Sequence, residues 1–112
     1  FPTSSISFTR TFFLNFKDFF FEKKYEKLEI DTRLNIFSNI EKKRVLFDQI
    51  LTNYNQNNDG IMSTYKKFNK NWWHRRFQAH EYLNKICIMK NYKVNKNFDY
   101  HLTNFIYELL KK

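Results

Sequence analysis

The amino-acid sequence predicts a mainly α fold, that of a small helical protein which can be extended and which begins with an N-terminal aromatic arm. The chain has 112 residues, enough for one small domain at most. It contains a single glycine and a single proline. Because tight β-hairpin turns usually need glycine at a positive φ, this composition argues against an all-β fold. Apolar residues that recur every three or four positions favour amphipathic helices instead.

Residues 1–28 form the predicted arm, and residues 29–112 form the predicted helical, basic domain. We expect one helix in the arm, near residues 11–26. Its most apolar stretch, "TFFLNFKDFFF", is interrupted by Lys17 and Asp18 and is shorter than the roughly 18 residues of a membrane span. Hydroxyl residues, two cations and no acid before Asp18 are typical of organellar import sequences, which predicts a mitochondrial location. A disordered arm in a cytosolic protein is the alternative.

Three helices are predicted in the domain. The first is capped by Asp31 and ends at the polar turn "NQNNDG", residues 55–60. The second follows Ser63 and runs from Thr64 towards Lys90, and the third covers "FDYHLTNFIYELLKK" after a basic connector. The predicted apolar positions are Leu34, Phe37, Ile40, Phe47, Ile50, Leu51 and Tyr54 in the first helix; Tyr65, Phe68, Trp72, Ala79, Leu83 and Ile86 in the second; and Phe98, Leu102, Phe105, Ile106, Leu109 and Leu110 in the third.

Positive charge is concentrated in the second half of the chain. Residues 1–59 carry 9 Lys and Arg against 8 Asp and Glu, a balance of +1, whereas residues 60–112 carry 11 against 3, a balance of +8. Clustered cations favour a polyanionic partner, and nucleic acid is the first candidate because its phosphates are dense. An anionic membrane surface is the second candidate, and an ordinary solvated surface is the third.

The sequence offers no residue set for catalysis or for metal binding. Cys87 with His80 or His101 is the only conceivable nucleophile and base, and on a helix His80 lies about two turns from Cys87, too far for a hydrogen bond. The histidines and the single cysteine lack the close spacing of a zinc site, and one glycine cannot form a phosphate-binding glycine loop. We therefore expect a protein that is not an enzyme and that has no cofactor or metal.

The segment "YKKFNKNWWHRRF", residues 65–77, interleaves cations with aromatic rings, a combination that suits phosphate contacts and stacking on unpaired bases. Packing of Trp72 or Trp73 in a core is an equally open interpretation. The predicted phosphate contacts are Lys66, Lys67, Lys70, Arg75, Arg76, Lys85, Lys90, Lys93 and Lys96, with Lys43 and Arg44 as second candidates, and the predicted aromatic contacts are Trp72, Trp73 and Tyr92.

Two further stretches carry short motifs. The first is "RLNIFSNIEKKRVLFDQILTNYN", residues 33–55, with Lys43, Arg44, Phe47 and Ile50 in a K-R-x-x-L-x-x-I-like pattern. The second is "NKICIMKNYKVNKNFDYHLTNFIYELL", residues 84–110. Its start is similar to an N-R-C element, matched by Asn84, Lys85 and Cys87, and a basic loop follows. Its end is similar to F-x-L-S-R-x-x-F-R-E-L, matched by Tyr100, Leu102, Thr103, Asn104 and Tyr107. Together they resemble the small-ribosomal-subunit protein fourteen family in its mitochondrial, zinc-free form.

This resemblance covers roughly half of the chain and departs from the family pattern at Ile86, which is inserted, and at Thr103 and Asn104, which replace a Ser-Arg pair. It implies a structural component of the mitochondrial small ribosomal subunit that binds ribosomal RNA and neighbouring ribosomal proteins. The alternative is a supernumerary structural subunit of a respiratory-chain or ATP-synthase complex. In that case the Phe-rich arm would dock on a membrane-embedded partner subunit and the lysines would face anionic lipid.

Overall fold

Helices account for most of the structure, a computed structural model that describes residues 6–20, 22–42, 66–94 and 96–112. The α-helices are α1 (Arg10–Phe20), α2 (Ile30–Ile40), α3 (Lys70–Met89) and α4 (Phe98–Lys111). A short 3₁₀ helix, Lys23–Tyr25, lies between α1 and α2, and no strand occurs within the described ranges. The prediction of a mainly α fold is therefore confirmed.

The chain divides into two compact units, Phe1–Asn55 and Gln56–Lys112, called unit 1 and unit 2 below. In unit 1 α1 packs on α2, and in unit 2 α3 packs on α4. The sequence suggested a boundary between arm and domain after residue 28, and unit 1 includes residues on both sides of that boundary. None of the described helices is long and apolar enough to cross a membrane.

Phenylalanines of α1 and α2 form the core of unit 1. Phe16 and Phe19 are buried on one face of α1, as their spacing of three residues allows. Each of their rings lies 5.2 Å from the ring of Phe37 in α2, which is fully buried. Phe12 adds an edge-on contact to Phe37 at 5.5 Å. Burial of such a ring stabilises a fold by about 2 kcal/mol before the entropy of ordering is subtracted.

The guanidinium of Arg33 in α2 holds the segment that connects the two helices of unit 1. Its Nε donates to the carbonyl of Leu28 at 2.9 Å, and its Nη1 donates to the carbonyl of Phe20 at 2.7 Å. Nη1 also lies 3.3 Å from the carbonyl oxygen of Glu22, and Nη2 donates to the carbonyl of Tyr25. Phe20 ends α1, where helix carbonyls lack intrahelical partners, so the buried cation satisfies acceptors that would otherwise be unpaired.

The bounds of α2 differ from those predicted. Glu29, not Asp31, is the N-cap, and Asp31 lies in the first turn of the helix, where its negative charge complements the helix dipole. The helix ends at Ile40, and Lys42 has a left-handed backbone (φ 52°), so the single predicted helix is interrupted here; its predicted part from residue 43 to 54 lies outside the described residues. The predicted apolar positions at Phe47, Ile50, Leu51 and Tyr54 lie outside the described residues.

The N-terminus of α3 also differs from the prediction. Asn69 is the N-cap, and its Oδ1 accepts a hydrogen bond from the backbone N–H of Trp72 at 2.7 Å. Phe68, immediately before it, has φ 66°, which an α-helix does not contain. The prediction of a helix through Phe68 is therefore wrong, while the proposed cap at Ser63 lies outside the described residues.

An antiparallel hairpin of α3 and α4 forms the described part of unit 2. His80 contacts Asp99 near the start of α4, whereas the ring of Phe77 stacks on Tyr107 near its end, with centroids 3.9 Å apart. Thr103 is fully buried and lies between these two positions on the same face of α4. The three contact positions, four residues apart, define the face that α4 presents to α3.

Four of the six apolar positions predicted on α4 are exposed and are called the α4 stripe below, whereas Ile106 and Leu110 are half-buried. The exposed fractions are 80% for Phe98, 36% for Leu102, 63% for Phe105 and 52% for Leu109. In α3, Ile86 is the only described residue of the predicted stripe that is buried; the other buried residues are Trp73, Gln78 and Tyr82. The buried faces of α3 and α4 thus coincide only in part with the predicted apolar positions, because the polar and aromatic contacts of Asp99 and Tyr107 contribute to helix pairing.

Candidate nucleic-acid interface

Exposed lysines occur at both ends of α3. The N-terminal lysine group consists of Lys66, Lys67 and Lys70, all exposed. The C-terminal lysine group consists of Lys93 and Lys96, also exposed, in the connector between α3 and α4. None of the five forms an ion pair with a carboxylate of the described residues. The 20 residues of α3 span about 30 Å, so the two groups are separated by roughly the length of that helix.

Phe68 lies beside the N-terminal lysine group and is 70% exposed. Its ring lies 5.3 Å from that of Trp72 and 6.2 Å from that of Trp73, which hold it from one side. The left-handed backbone at Phe68 is uncommon for a bulky residue. Residue spacing predicts Phe68 in the apolar stripe of α3 and does not reveal this exposure. Asn69 as the helix cap was the signal, because it puts the preceding residue outside the helix.

The two tryptophans occupy different environments. Trp73 is buried and meets Trp72 edge-on with centroids 4.7 Å apart. Its ring is thus part of the packing of unit 2 and does not present a face to an incoming base. Trp72 is half-buried, and the guanidinium carbon of Arg76 lies 5.0 Å from the centroid of its ring. This cation–π contact covers part of the Trp72 surface.

Arg76 is bound to Asp99 of α4. Its Nη2 and Nε both donate to Oδ1 of Asp99, at 2.5 and 3.1 Å, and His80 Nε2 lies 2.9 Å from Oδ2. Partial burial acts to raise the pKa of the Asp99 carboxyl, but the hydrogen bonds and charges of Arg76 and His80 outweigh it and leave the pKa below its usual value. The ionised carboxylate therefore joins the two helices of the hairpin. In this geometry Arg76 stabilises the hairpin, and the carboxylate of Asp99 neutralises most of the charge that Arg76 could offer to a phosphate.

The remaining predicted contacts fall into three groups. Arg75, Lys85 and Lys90 are half-buried, and each already interacts with other groups of the chain. Tyr92 is exposed next to Lys93, and the Nζ of Lys96 lies 5.9 Å from the ring centroid of Tyr100. Lys43 and Arg44 lie outside the described residues. The structure thus brings together two small groups of cations, each with an exposed aromatic ring, and not one continuous basic face.

Titratable side chains show no cluster of three that could hold a metal within the described ranges. His80 is hydrogen-bonded to Asp99, and Cys87 is a half-buried free cysteine. Comparison of the chain with family models, with curated proteins and with solved structures finds no match.

Proposed function

We propose that this protein is a structural component of the mitochondrial small ribosomal subunit, in which it binds ribosomal RNA and neighbouring ribosomal proteins. The observation that carries the RNA contact is the presence of five exposed lysines at the ends of α3 with no carboxylate partner among the described residues. RNA condenses cations along its phosphates, and lysines that neutralise these phosphates release the cations, which favours binding through their entropy. Residues 60–112 have a net charge of +8, which adds a long-range attraction to the same ligand.

Aromatic rings beside both lysine groups support single-stranded or irregular RNA over regular duplex. Phe68 and Tyr92 are exposed in turns, where an unpaired base can stack on them while nearby lysines hold the adjoining phosphates. The resemblance of residues 33–55 and 84–110 to a mitochondrial ribosomal family supports the choice of assembly. The acid-free, hydroxyl-rich start of the chain supports the compartment.

A binding titration with a matched control tests the RNA contact. The probe is a fluorescein-labelled single-stranded oligouridine RNA of about 16 nucleotides, followed by anisotropy at several salt concentrations. The variant K66Q/K67Q/K70Q removes three exposed lysines from unit 2, and we expect its slope of log K against log salt to be shallower by about 2. The control K23Q/K24Q/K27Q removes three lysines from unit 1, and its slope should remain that of the unchanged chain. Equal slopes for both variants would contradict the proposed interface.

Sedimentation of detergent-lysed organelles tests the assembly. The chain, followed by mass spectrometry, should migrate with the small ribosomal subunit and be released by nuclease or by very high salt. Migration with a respiratory-chain or ATP-synthase complex, unaffected by nuclease, would overturn the proposal in favour of the membrane-complex alternative. That alternative assigned partner docking to the phenylalanines of the arm, but Phe16 and Phe19 are already buried against Phe37.

A further inference from the structure

A row of planar side chains follows one side of α3 from the N-terminal lysine group towards the C-terminal lysine group. It contains four residues spaced by four along the chain and one residue of α4, and is called the planar row below: Phe68, Trp72, Arg76, His80 and Tyr100. Residues four apart in a helix lie on the same side, one turn after another. Trp72 and His80, eight residues apart within α3, are therefore separated by about 12 Å along its axis.

Direct contacts join the first three members of the planar row. The ring of Phe68 lies 5.3 Å from that of Trp72, and the guanidinium carbon of Arg76 lies 5.0 Å from the centroid of the Trp72 ring. Phe68 is 70% exposed and has a left-handed backbone. Such backbone conformations of bulky residues are concentrated at sites that bind ligands. Phe68 is therefore the open aromatic end of the row.

Contacts with α4 continue the planar row to its other end. Asp99 joins Arg76 to His80, because its Oδ1 accepts hydrogen bonds from Arg76 and its Oδ2 lies 2.9 Å from His80 Nε2. The ring of Tyr100 meets that of His80 edge-on, with centroids 5.7 Å apart. The Nζ of Lys96 lies 5.9 Å from the centroid of the Tyr100 ring, so this lysine is placed at the end of the row. The whole row extends over on the order of 20 Å.

The ends of the planar row differ in charge from its middle. The N-terminal lysine group adjoins Phe68 in the chain, and Lys96 lies at the opposite end. In the middle, the carboxylate of Asp99 pairs with the guanidinium of Arg76. The exposed fractions of these two side chains are 37% and 40%, so both can be reached from solvent. A ligand that covers the row therefore meets lysines at both ends and, between them, planar groups whose guanidinium is already paired.

An unpaired RNA strand has the chemistry that fits this arrangement. Bases stack on aromatic rings and on arginine guanidinium planes, whereas phosphates bind lysines. Because Asp99 already neutralises Arg76, a phosphate gains little in the middle of the row, and the bases are the groups that contact it there. Stacked nucleotides advance by about 3.4 Å each along a strand, so about six nucleotides cover the row.

Three other ligands fit less well. Membrane-binding surfaces carry cations along the whole contacting face, whereas the planar row has a carboxylate in its middle. Regular duplex RNA keeps its bases paired and stacked on each other, so their faces do not reach a protein side chain. An acidic protein segment supplies negative charge for the two ends but few planar groups for the middle. The combination of phosphates and accessible base faces is particular to a single strand.

We propose that one unpaired RNA strand of about six nucleotides binds along the planar row and bridges the two lysine groups. A base stacks on the exposed ring of Phe68, the following bases lie over Trp72 and Arg76, and the strand reaches Tyr100 and Lys96. This inference rests on the proposed function, because it specifies how the RNA contact is made. It adds that both lysine groups act on the same strand and that bases contact the surface between them.

RNA without bases tests the middle of the row and requires no change of the protein. The probes are a fluorescein-labelled oligouridine of about eight nucleotides and the same strand with abasic nucleotides at its central positions, both followed by anisotropy with the full chain. We expect the abasic centre to weaken binding by about tenfold or more, because stacking on the row is lost. The slope of log K against log salt should stay the same, because the phosphates are the same. Equal affinity of the two probes would overturn the inference.

Substitutions at opposite ends of the row test whether one strand reaches both. Phe68→Leu and Tyr100→Leu each remove a ring and keep an apolar side chain, and each should weaken binding of the oligouridine by about fivefold or more. Phe8→Leu, at an exposed phenylalanine of unit 1, is the control and should leave binding unchanged. A loss for Phe68→Leu but none for Tyr100→Leu would overturn the inference.

A pair of lysine variants repeats this test without removing a ring from the hairpin. Lys96 and Lys112 are both exposed and lie close to opposite ends of α4. K96Q should make the salt slope of oligouridine binding shallower by about 0.7, as expected for one lost phosphate contact on a single strand. K112Q is the matched control and should keep the slope of the unchanged chain. Equal slopes for K96Q and K112Q would overturn the inference.

Photo-crosslinking locates the two ends of the strand. The oligouridine carries 4-thiouridine either near its 5′ end or near its 3′ end, is irradiated with the full chain, and the crosslinked residues are mapped by mass spectrometry. We expect one of the two positions to crosslink at or next to Phe68 and the other at or next to Tyr100. Crosslinks of both positions to one end of the row, or to residues 43–65 in place of the row, would overturn the inference.

The two proposals fail in different ways. If the oligouridine does not bind, or if K66Q/K67Q/K70Q leaves its salt slope unchanged, the RNA contact of the proposed function is wrong and the inference fails with it. If K66Q/K67Q/K70Q makes the slope shallower but the abasic probe binds equally well and K96Q has no effect, the RNA contact stands and the inference about the planar row is wrong.

Discussion

Unit 1 places Phe37 at the centre of an aromatic core, whereas unit 2 holds Phe105 in solvent, although its helix α4 is amphipathic too. In unit 1 the apolar faces of α1 and α2 meet each other, and buried Arg33 satisfies the carbonyls of the connecting segment. In unit 2 the helices meet through Asp99, Thr103 and Tyr107, and the apolar stripe of α4 remains outside.

This difference separates the sources of stability from the surfaces available for binding. The rings of unit 1 contact one another, so their burial stabilises that unit without any partner. The hairpin of unit 2 also buries Trp73, Tyr82 and Ile86, and it adds a partly exposed ion pair, stacked rings and helix caps, each of which is worth little individually. Unit 2 also carries the positive charge and the exposed rings. We therefore expect core substitutions to be costly in unit 1 and substitutions on the exposed α4 stripe to change the stability of unit 2 little.

The largest expected effect is a contrast between two phenylalanines. Phe37→Ala should lower the free energy of unfolding of unit 1 by about 3–5 kcal/mol, because it removes a fully buried ring and leaves a cavity. Phe105→Ala should change that of unit 2 by about 0.5 kcal/mol or less. Hydrogen–deuterium exchange of amides in residues 10–42 and 70–111 reports on each unit separately.

The reverse result would remove the basis of the comparison. If Phe105→Ala accelerated exchange in residues 70–111 as strongly as Phe37→Ala does in residues 10–42, the stripe would be part of a core in the isolated chain.

Arg33 should give the next largest effect. Arg33→Met removes the donor to four carbonyls while keeping a side chain of similar length, and it should destabilise unit 1 by about 3 kcal/mol. Arg33→Lys should recover only part of this loss, since an ammonium lacks the planar fork. Amide exchange in residues 22–42 measures both changes, with Arg10→Met, at an exposed position, as the control. Full rescue by lysine would show that charge alone matters at this position.

Helix caps give a smaller, local effect that sharpens the contrast. Asn69 and Asn97 accept hydrogen bonds from backbone N–H groups at the starts of α3 and α4, whereas the N-cap of α2, Glu29, makes no side-chain cap bond. Asn69→Ala and Asn97→Ala should each lower the stability of unit 2 by about 1 kcal/mol. The exposed Asn71→Ala, inside α3, serves as the control and should be neutral or stabilising. Thermal unfolding followed by tryptophan fluorescence reports on unit 2, because both tryptophans lie there.

The smallest expected effect concerns Asp99 and pH. Because the pKa of Asp99 is lowered in the fold, its contribution is present above the unfolded pKa of 3.8 and is lost as the pH falls through the lower folded value. The carboxylate is more than one third exposed, so solvent screening limits the contribution to on the order of 1 kcal/mol or less. Asp99→Asn should lower the melting temperature at pH 6, and this deficit should shrink as the pH falls below 3.8. A deficit that persists undiminished in strong acid would assign another role to this residue.

The mainly helical fold followed from the sequence because glycine scarcity and apolar spacing are local properties. Helix ends were less certain, since Asn69 and Ser63 are both good caps and the sequence does not choose between them. The left-handed backbone at Phe68 and Lys42 marks where helices begin or end, and such a conformation cannot be predicted from a Phe or a Lys in the sequence.

What the sequence determined by itself was the composition of each surface: a basic second half, aromatic residues among its lysines, and an amphipathic α4. Which faces meet was decided by tertiary structure alone. Periodicity identifies the apolar face of α4, but the pairing of Asp99 with Arg76 and of Tyr107 with Phe77 turned that face outward. In the same way Trp73 and Arg76, both candidates for RNA contact, were engaged within unit 2. The physical reason is that the local spacing of residues does not predict contacts between residues more than 20 positions apart, such as the Arg76–Asp99 pair.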